Sequence, residues 1–324
     1  MSPICCRLSL AAFTLAVLSL APAPSPAADA AGLAFRPGGA GYFEFDTGVL
    51  RGKVRLDGKS QGITELVHAA SGAPVAQGGR LPGIFSYYRV FSSAARYGEA
   101  ARDWPTVSKV LADGALEVFW PAAADHPLEM TAVYRWSAAD TLDLETAVRP
   151  QRDMPRFEVF LSSYFAGNMP ALVYVKPNMY VKGEPGFVAA DDNPLVDGSY
   201  LMFPRDRKAV LMIFDGRWEF PPNPVQWSIT RYLAAPMAMR RDEKSGLVAI
   251  QMAPPGDCFA VSLPYNKTPP DGVAGHQSLY LSLFGQDLKA GETARAAARL
   301  VIGQNLTDQQ AVELYGKYLE GRKP

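Results

Sequence analysis

Residues 128–136 read Leu-Glu-Met-Thr-Ala-Val-Tyr-Arg-Trp. In an extended chain Leu128, Met130, Ala132, Tyr134 and Trp136 share one side, and Glu129, Thr131 and Arg135 share the other. Alternation with period two is the signature of a strand that buries one face against a second layer. The pattern recurs at once. Leu142, Leu144 and Val148 alternate with Asp143, Glu145 and Arg149, and then Phe157, Val159, Leu161 and Phe165 alternate with Arg156, Glu158, Ser162 and Tyr164. Three such runs in succession predict an antiparallel sheet packed on another layer.

Further strands are expected at Tyr42–Asp46, Val49–Asp57, Ile63–His68, Ile84–Ser92, Leu116–Trp120, Leu247–Met252, Cys258–Leu263, Leu279–Phe284 and Thr293–Ile302. Ala209–Phe214 is apolar on both faces and is expected as a central strand. Asp57-Gly58, Asp113-Gly114, Asp215-Gly216, Ser245-Gly246 and Ala290-Gly291 supply turns between the runs. The 27 prolines oppose long helices. One helix stands out at the C-terminus. Thr307 and Gln310 form a capping box, and Ala311, Leu314, Tyr315, Tyr318 and Leu319 share a face that can brace the sheet. No internal repeat or low-complexity linker divides the chain, so residues 31–324 are read as one domain. The fold class is all-β, a large antiparallel two-layer β-sandwich with one C-terminal helix.

The N-terminus reads as an export signal over residues 1–30: Arg7, an apolar run Leu8–Ala21, and a small-x-small cleavage site at Ala28-Asp29-Ala30. The expected location is periplasmic or secreted. Cleavage removes Cys5 and Cys6 and leaves Cys258 alone, so a packed core replaces any disulfide framework. Removal of Arg7 and Asp29 keeps the chain formally neutral. That balance gives no electrostatic footprint for nucleic acid, and no later segment is apolar for long enough to span a bilayer.

Near the C-terminus, Leu288-Lys289-Ala290-Gly291-Glu292-Thr293 precedes a long strand. This ending resembles the last hairpin of the galactose mutarotase-like β-supersandwich superfamily, and the length and strand-rich character of the chain fit it. The superfamily contains aldose epimerases, and related sandwiches form domains of glycoside hydrolases and polysaccharide lyases. The resemblance implies a carbohydrate ligand. It also implies, for an epimerase, a histidine acid opposite a carboxylate base. The chain departs from that pattern, because none of His68, His126 and His276 lies between Pro127 and Gly275, where the mid-chain histidine motif belongs. An ordinary aldose 1-epimerase is therefore disfavoured.

The segment from Asp215 to Tyr232 concentrates Asp215, Arg217, Trp218, Glu219, Trp227, Arg231 and Tyr232 around a proline-rich loop. Sugars are held by an aromatic plane under their C–H face and by charged groups at their hydroxyls. Arg217, Trp218, Trp227 and Arg231 are the expected ligand contacts; the alternative is that the tryptophans plug the core. Catalytic candidates are Glu158, Tyr164, Asp215 and His276. Glu158 and Tyr164 lie about 20 Å apart along one strand and need partners from elsewhere. His68, at a strand end, reads as structural and His126 as a surface residue. Tyr87, Tyr88, Arg89, Arg96, Tyr97 and Trp104 form a third aromatic and basic region of the kind that neutralises a uronate carboxylate.

No cofactor is expected. There is no zinc spacing, nucleophile elbow, P-loop or dinucleotide fingerprint. Asp191, Asp192, Asn193 and Asp197 share only ligand type with a calcium loop. Asn266-Lys267-Thr268 and Asn305-Leu306-Thr307 are formal glycosylation sequons. The functional expectation is an exported carbohydrate-binding or carbohydrate-processing protein. The alternatives are a polysaccharide lyase or glycoside hydrolase, and a non-catalytic protein-interaction module.

Overall fold

The computed structural model describes residues 32–76, 78, 82–93, 95–166, 169–178, 181–189, 200–264 and 277–322. The leader, Asp191, Asp192, Asn193, Asp197, the first sequon and His276 lie outside these residues.

Among the described residues the strands form three sheets. A four-stranded sheet takes the order β1-β2-β3-β4, with β1 Arg36–Gly39, β2 Tyr42–Asp46, β3 Leu50–Arg55 and β4 Gly62–His68. The seven-stranded sheet draws on β5 Ser86–Ser92, β6 Ala95–Arg96, β11 Met154–Tyr164, β14 Tyr200–Pro204, β15 Trp227–Ser228, β18 Cys258–Pro264 and β19 Ser278–Leu288. Its order is β15-β14-β18-β19-β11-β5-β6. The nine-stranded sheet draws on β7 Val107–Val110, β8 Leu116–Trp120, β9 Leu128–Ala138, β10 Thr141–Pro150, β12 Ala171–Val175, β13 Gly186–Ala189, β16 Leu233–Arg241, β17 Leu247–Met252 and β20 Ala294–Gln304. Its order is β13-β12-β16-β17-β20-β10-β9-β8-β7. Pairing is antiparallel throughout, save for the short parallel contact of β14 with β15.

The alternation read from residues 128–136 is realised side chain by side chain. Leu128, Met130, Ala132, Tyr134 and Trp136 are buried in the main core, and the intervening residues are half-buried. The same core holds Val159, Leu161, Val261, Leu281 and Leu283 from the seven-stranded sheet, so it lies between the two large sheets. Polar links cross it. The Tyr134 hydroxyl donates to the Phe85 carbonyl at 2.7 Å, and the Tyr87 and Thr146 hydroxyls meet at 2.5 Å. Each fully buried large apolar side chain contributes roughly 1.5–3 kcal/mol through its transfer from water.

Both outer faces are covered. The C-terminal helix, Asp308–Glu320, carries the expected capping box. Ala311, Tyr315 and Tyr318 pack on Met237, Met239, Val248, Ile250 and Met252 of the nine-stranded sheet. The outer face of the seven-stranded sheet is covered by the chain between β14 and β16. Here the structure corrects the sequence reading: Ala209–Phe214 forms no central strand but most of a short helix, α1, at Arg207–Ile213. Asp206 caps it, its Oδ1 accepting from the Ala209 amide at 2.9 Å. Ala209, Met212 and Ile213 face the sheet, whereas Leu211 and Phe214 are 61% exposed. The C-terminal helix, α2, is therefore joined by a second, shorter one.

No helix among the described residues is long and apolar enough to cross a membrane. No group of His, Cys, Asp or Glu side chains among them is placed to hold a metal ion.

Candidate functional site

On β11, Phe157, Val159 and Leu161 enter the main core, so Glu158, Phe160, Ser162 and Tyr164 point to the opposite, outer face. All four are buried, and the α1 segment with the chain after it covers the Glu158 and Phe160 end of that face. Phe160, the apolar residue that interrupts the polar side of β11, is the hub of this contact. Its ring stacks on Tyr280 at 4.7 Å and meets Trp218 edge-on at 4.7 Å. Trp218 also contacts Phe91 at 4.9 Å and Trp227 at 5.0 Å.

Trp218 and Trp227 are only 4% and 5% exposed. An open aromatic shelf formed by their faces is therefore corrected to two indoles set into a secondary core. They still border free space. A cleft of about 520 Å³ is lined by Ile213, Phe214, Trp218, Glu219, Val225 and Trp227, among others. Both indole nitrogens are buried and have no acceptor among the described residues. Phe214 and Glu219 are exposed at this cleft.

Arg217 does not face that space. Its Nε donates to Asp215 Oδ1 at 2.9 Å, its Nη1 to Glu158 Oε2 at 2.7 Å, and its Nη2 to Asp215 Oδ2 at 2.8 Å and the Arg156 carbonyl at 3.0 Å. Every guanidinium nitrogen is engaged, so Arg217 has no nitrogen left for a ligand and instead bolts the covering segment to β11. Burial pushes the Glu158 carboxyl up, against the pull of Arg217. Burial opposes the charge of Arg217, but its contacts with Asp215 and Glu158 hold it above its ordinary value. The two carboxylates thus share one buried cation and do not face each other across open space, as a hydrolytic pair must.

The remaining candidates lie apart. Arg231 is buried, and Tyr164 lies at the other end of β11 with its ring 6.3 Å from Tyr280. Near Tyr280, Arg240 reaches across from the nine-stranded sheet. It donates to the Met169 carbonyl at 2.7 Å, Gln277 Oε1 at 2.6 Å and the Ser278 carbonyl at 2.6 Å. With only neutral acceptors around it, burial brings Arg240 down to about 9. The Gly275-His276 part of the candidate sequence motif lies outside the described residues.

His126 is corrected from surface to buried: its ring stacks on Trp104 at 3.8 Å and bonds Asp125 at 2.6 Å. His68 is structural in its surroundings, its Nδ1 meeting the Ser71 hydroxyl at 2.9 Å.

The Tyr87–Trp104 region divides in a way the sequence did not display. Leu161 pairs with Tyr87 and Phe160 with Arg89, so Tyr88 is an extra residue in β5, a bulge. Tyr87 enters the main core, while both Tyr88 and Arg89 reach the outer face. The Arg89 guanidinium lies 5.0 Å from the Tyr88 ring and 5.0 Å from the Trp218 ring. Arg102, which sequence reading passed over, joins them 4.4 Å from the Tyr88 ring. Its position in a basic and aromatic stretch, on the turn Ala101–Asp103, was the available signal.

No family model matches the chain, and no curated protein matches its sequence. Solved structures match in shape. A galactose mutarotase related enzyme from Lactobacillus acidophilus aligns with 10% identity over 82% of this chain and 99% of its own, at a TM-score of 0.49. An aldose epimerase homologue from C. elegans aligns with 8% identity over 84% and 99%, at 0.45. The α-N-acetylgalactosaminidase NagBb from Bifidobacterium bifidum aligns with 12% identity over 86% of this chain, at 0.50, and this chain spans 38% of that enzyme's length. At such identities the likeness is one of fold, and the chain is an all-β sandwich that resembles the galactose mutarotase-like proteins in architecture.

Proposed function

We propose that this chain is an exported carbohydrate-binding protein whose ligand enters the cleft at Phe214, Trp218 and Trp227. The cleft carries the reading. Its volume of about 520 Å³ suits a mono- or disaccharide. It combines aromatic walls with an exposed carboxylate, Glu219, which can accept from sugar hydroxyls. The fold shared with NagBb, an enzyme described in complex with GalNAc, supports a sugar ligand. Export follows from the residue 1–30 signal pattern and is tested by N-terminal sequencing of the protein recovered from its host.

An enzyme reading, lyase or hydrolase, draws support from a different place. Tyr164, Tyr280 and the uncompensated Arg240 lie together, and Gln277, which Arg240 binds, directly follows His276 in the chain. Glu158 and Asp215 are poorly suited to it, since Arg217 holds both.

The test is calorimetric titration of the mature protein with a glycan panel, with product analysis of every mixture. Phe214→Ala is the decisive variant, because Phe214 is 61% exposed and its loss leaves the packing intact. The expected result is saccharide binding without product, weakened about tenfold or more in Phe214→Ala. Shortened or unsaturated products would move the assignment to the enzyme. Absence of binding across the panel would leave a protein-interaction module.

A further inference from the structure

Behind Trp218 the fold gathers Arg89 and Arg102 around the Tyr88 ring, with Arg96 beside Arg89. Arg89 is 2% exposed. Its Nη2 donates to the Asn223 carbonyl at 2.5 Å and to the Tyr88 hydroxyl at 3.3 Å, while its Nε and Nη1 have no acceptor among the described residues. Arg102 stacks on the same Tyr88 ring and leaves a buried Nη1 unengaged. Arg96 binds the Phe220 and Pro222 carbonyls at 3.4 and 3.0 Å, and the Glu99 carbonyl, yet keeps a buried Nε without a partner. No described carboxylate forms an ion pair with any of the three. Burial first, and then the neighbouring charge of Arg89, draw Arg96 down against the opposing pull of Tyr88 and Glu99.

A buried guanidinium satisfied only by neutral carbonyls and aromatic faces, as that of Arg89 is, is costly to hold unless an anion completes it. The unspent donors are those that a planar or tetrahedral oxyanion would accept from. The half-buried state of Tyr88, Arg96 and Arg102 leaves the group a way to solvent. Trp218 is the shared wall: the Arg89 guanidinium lies over its ring, and the same indole lines the cleft. We infer that Arg89, Arg96 and Arg102 form an anion subsite beside the cleft, so that the preferred ligand is an acidic saccharide bearing a carboxylate or sulfate. This rests on the carbohydrate reading and names its substrate class.

The experiment titrates the mature protein with uronate oligosaccharides, sulfated oligosaccharides, their neutral counterparts and inorganic sulfate, at fixed ionic strength. The variants are Arg102→Gln, Arg96→Gln and Phe214→Ala; the two arginines are half-buried, so their loss spares the core better than loss of Arg89 would. The expected result is that one acidic class binds at least about tenfold more tightly than its neutral counterpart. That advantage should vanish in Arg102→Gln and Arg96→Gln, while Phe214→Ala weakens acidic and neutral ligands alike. The uronate and sulfate arms decide between the two anions. Equal affinity for acidic and neutral saccharides, or an advantage that survives both arginine variants, would overturn the inference while leaving the carbohydrate reading in place. No saccharide bound at all, with inorganic sulfate still raising the melting temperature in an Arg102-dependent way, would keep the anion subsite and refute the sugar.

Discussion

At the scale of single residues, the decisive object is the Arg217 guanidinium between Asp215 and Glu158. Asp215 stands two positions away and was legible as its neighbour; Glu158 stands 59 positions earlier, and only the fold brings it to 2.7 Å. That is why Arg217 read as a ligand contact. Its charge is visible in a sequence, but the carboxylate that consumes it is not. Breaking a buried pair from one side costs roughly 3–5 kcal/mol, because the partner charge is left stranded. The buried Glu158 carboxyl carries a pH signature. Its ordinary value is 4.5, and in the folded protein it is raised, chiefly by desolvation. Between those two values the folded state binds more protons than the unfolded chain, so the contribution of Glu158 to stability falls as pH climbs above 4.5. Glu158→Gln removes that titration. The stability of the variant, measured by urea unfolding, should therefore gain on the wild type as pH rises from 4.5; a difference that is flat with pH would refute it. Arg89 was legible as part of a basic and aromatic stretch. Its convergence with Tyr88 on one face was not, since strict alternation separates adjacent residues and the bulge that reunites them has no local mark.

At the scale of elements, long strands declared themselves through alternation, and Leu116–Trp120 and Leu247–Met252 match their expected bounds. Strands such as Ala171–Val175 and Leu233–Arg241 did not. Leu233–Arg241 mixes alanines and methionines, buried on both sides, with a proline, and this obscures the period. The inversion of Ala209–Phe214 from strand to helix has a clear cause. A run apolar on both faces was taken to be buried on both faces, whereas Leu211 and Phe214 are left in solvent. The capping residue Asp206 was the overlooked signal. Two substitutions distinguish the assignments. Asp206→Ala should cost about 1 kcal/mol through the lost cap, and Leu211→Lys should stay within about 0.5 kcal/mol of wild type, as at other exposed sites. Chemical denaturation reads both. A loss of several kcal/mol in Leu211→Lys would restore the central strand.

At the scale of the whole molecule, fold class was legible because it depends on many repetitions of one simple pattern, which tolerate individual errors. The candidate site was legible only in part. Trp218 and Trp227 belong to one stretch of chain and could be suspected together, whereas Phe214 reads in the sequence as part of a central strand; the three arginines become one group only when β5, β6, the turn Ala101–Asp103 and the proline loop converge. The main core takes in residues of all three sheets, and Cys258 lies within it, fully buried with its thiol pushed up to about 12. Protein produced from residue 31 should therefore resist thiol-specific labelling until it unfolds globally. Labelling of Cys258 across a denaturant series should share its midpoint with tryptophan fluorescence; labelling in native buffer would disprove this. The way the covering segment is fastened carries a further meaning. Arg217 anchors it on one side of Phe220–Asn223, and the pairing of Trp227 with Tyr200 anchors it on the other. What runs between is an exposed bridge held at both piers and tied along its span, since Arg96 takes the Phe220 and Pro222 carbonyls and Arg89 that of Asn223. A change of length or sequence in that bridge is thus felt first by the arginines beneath it and only afterwards by the sheets.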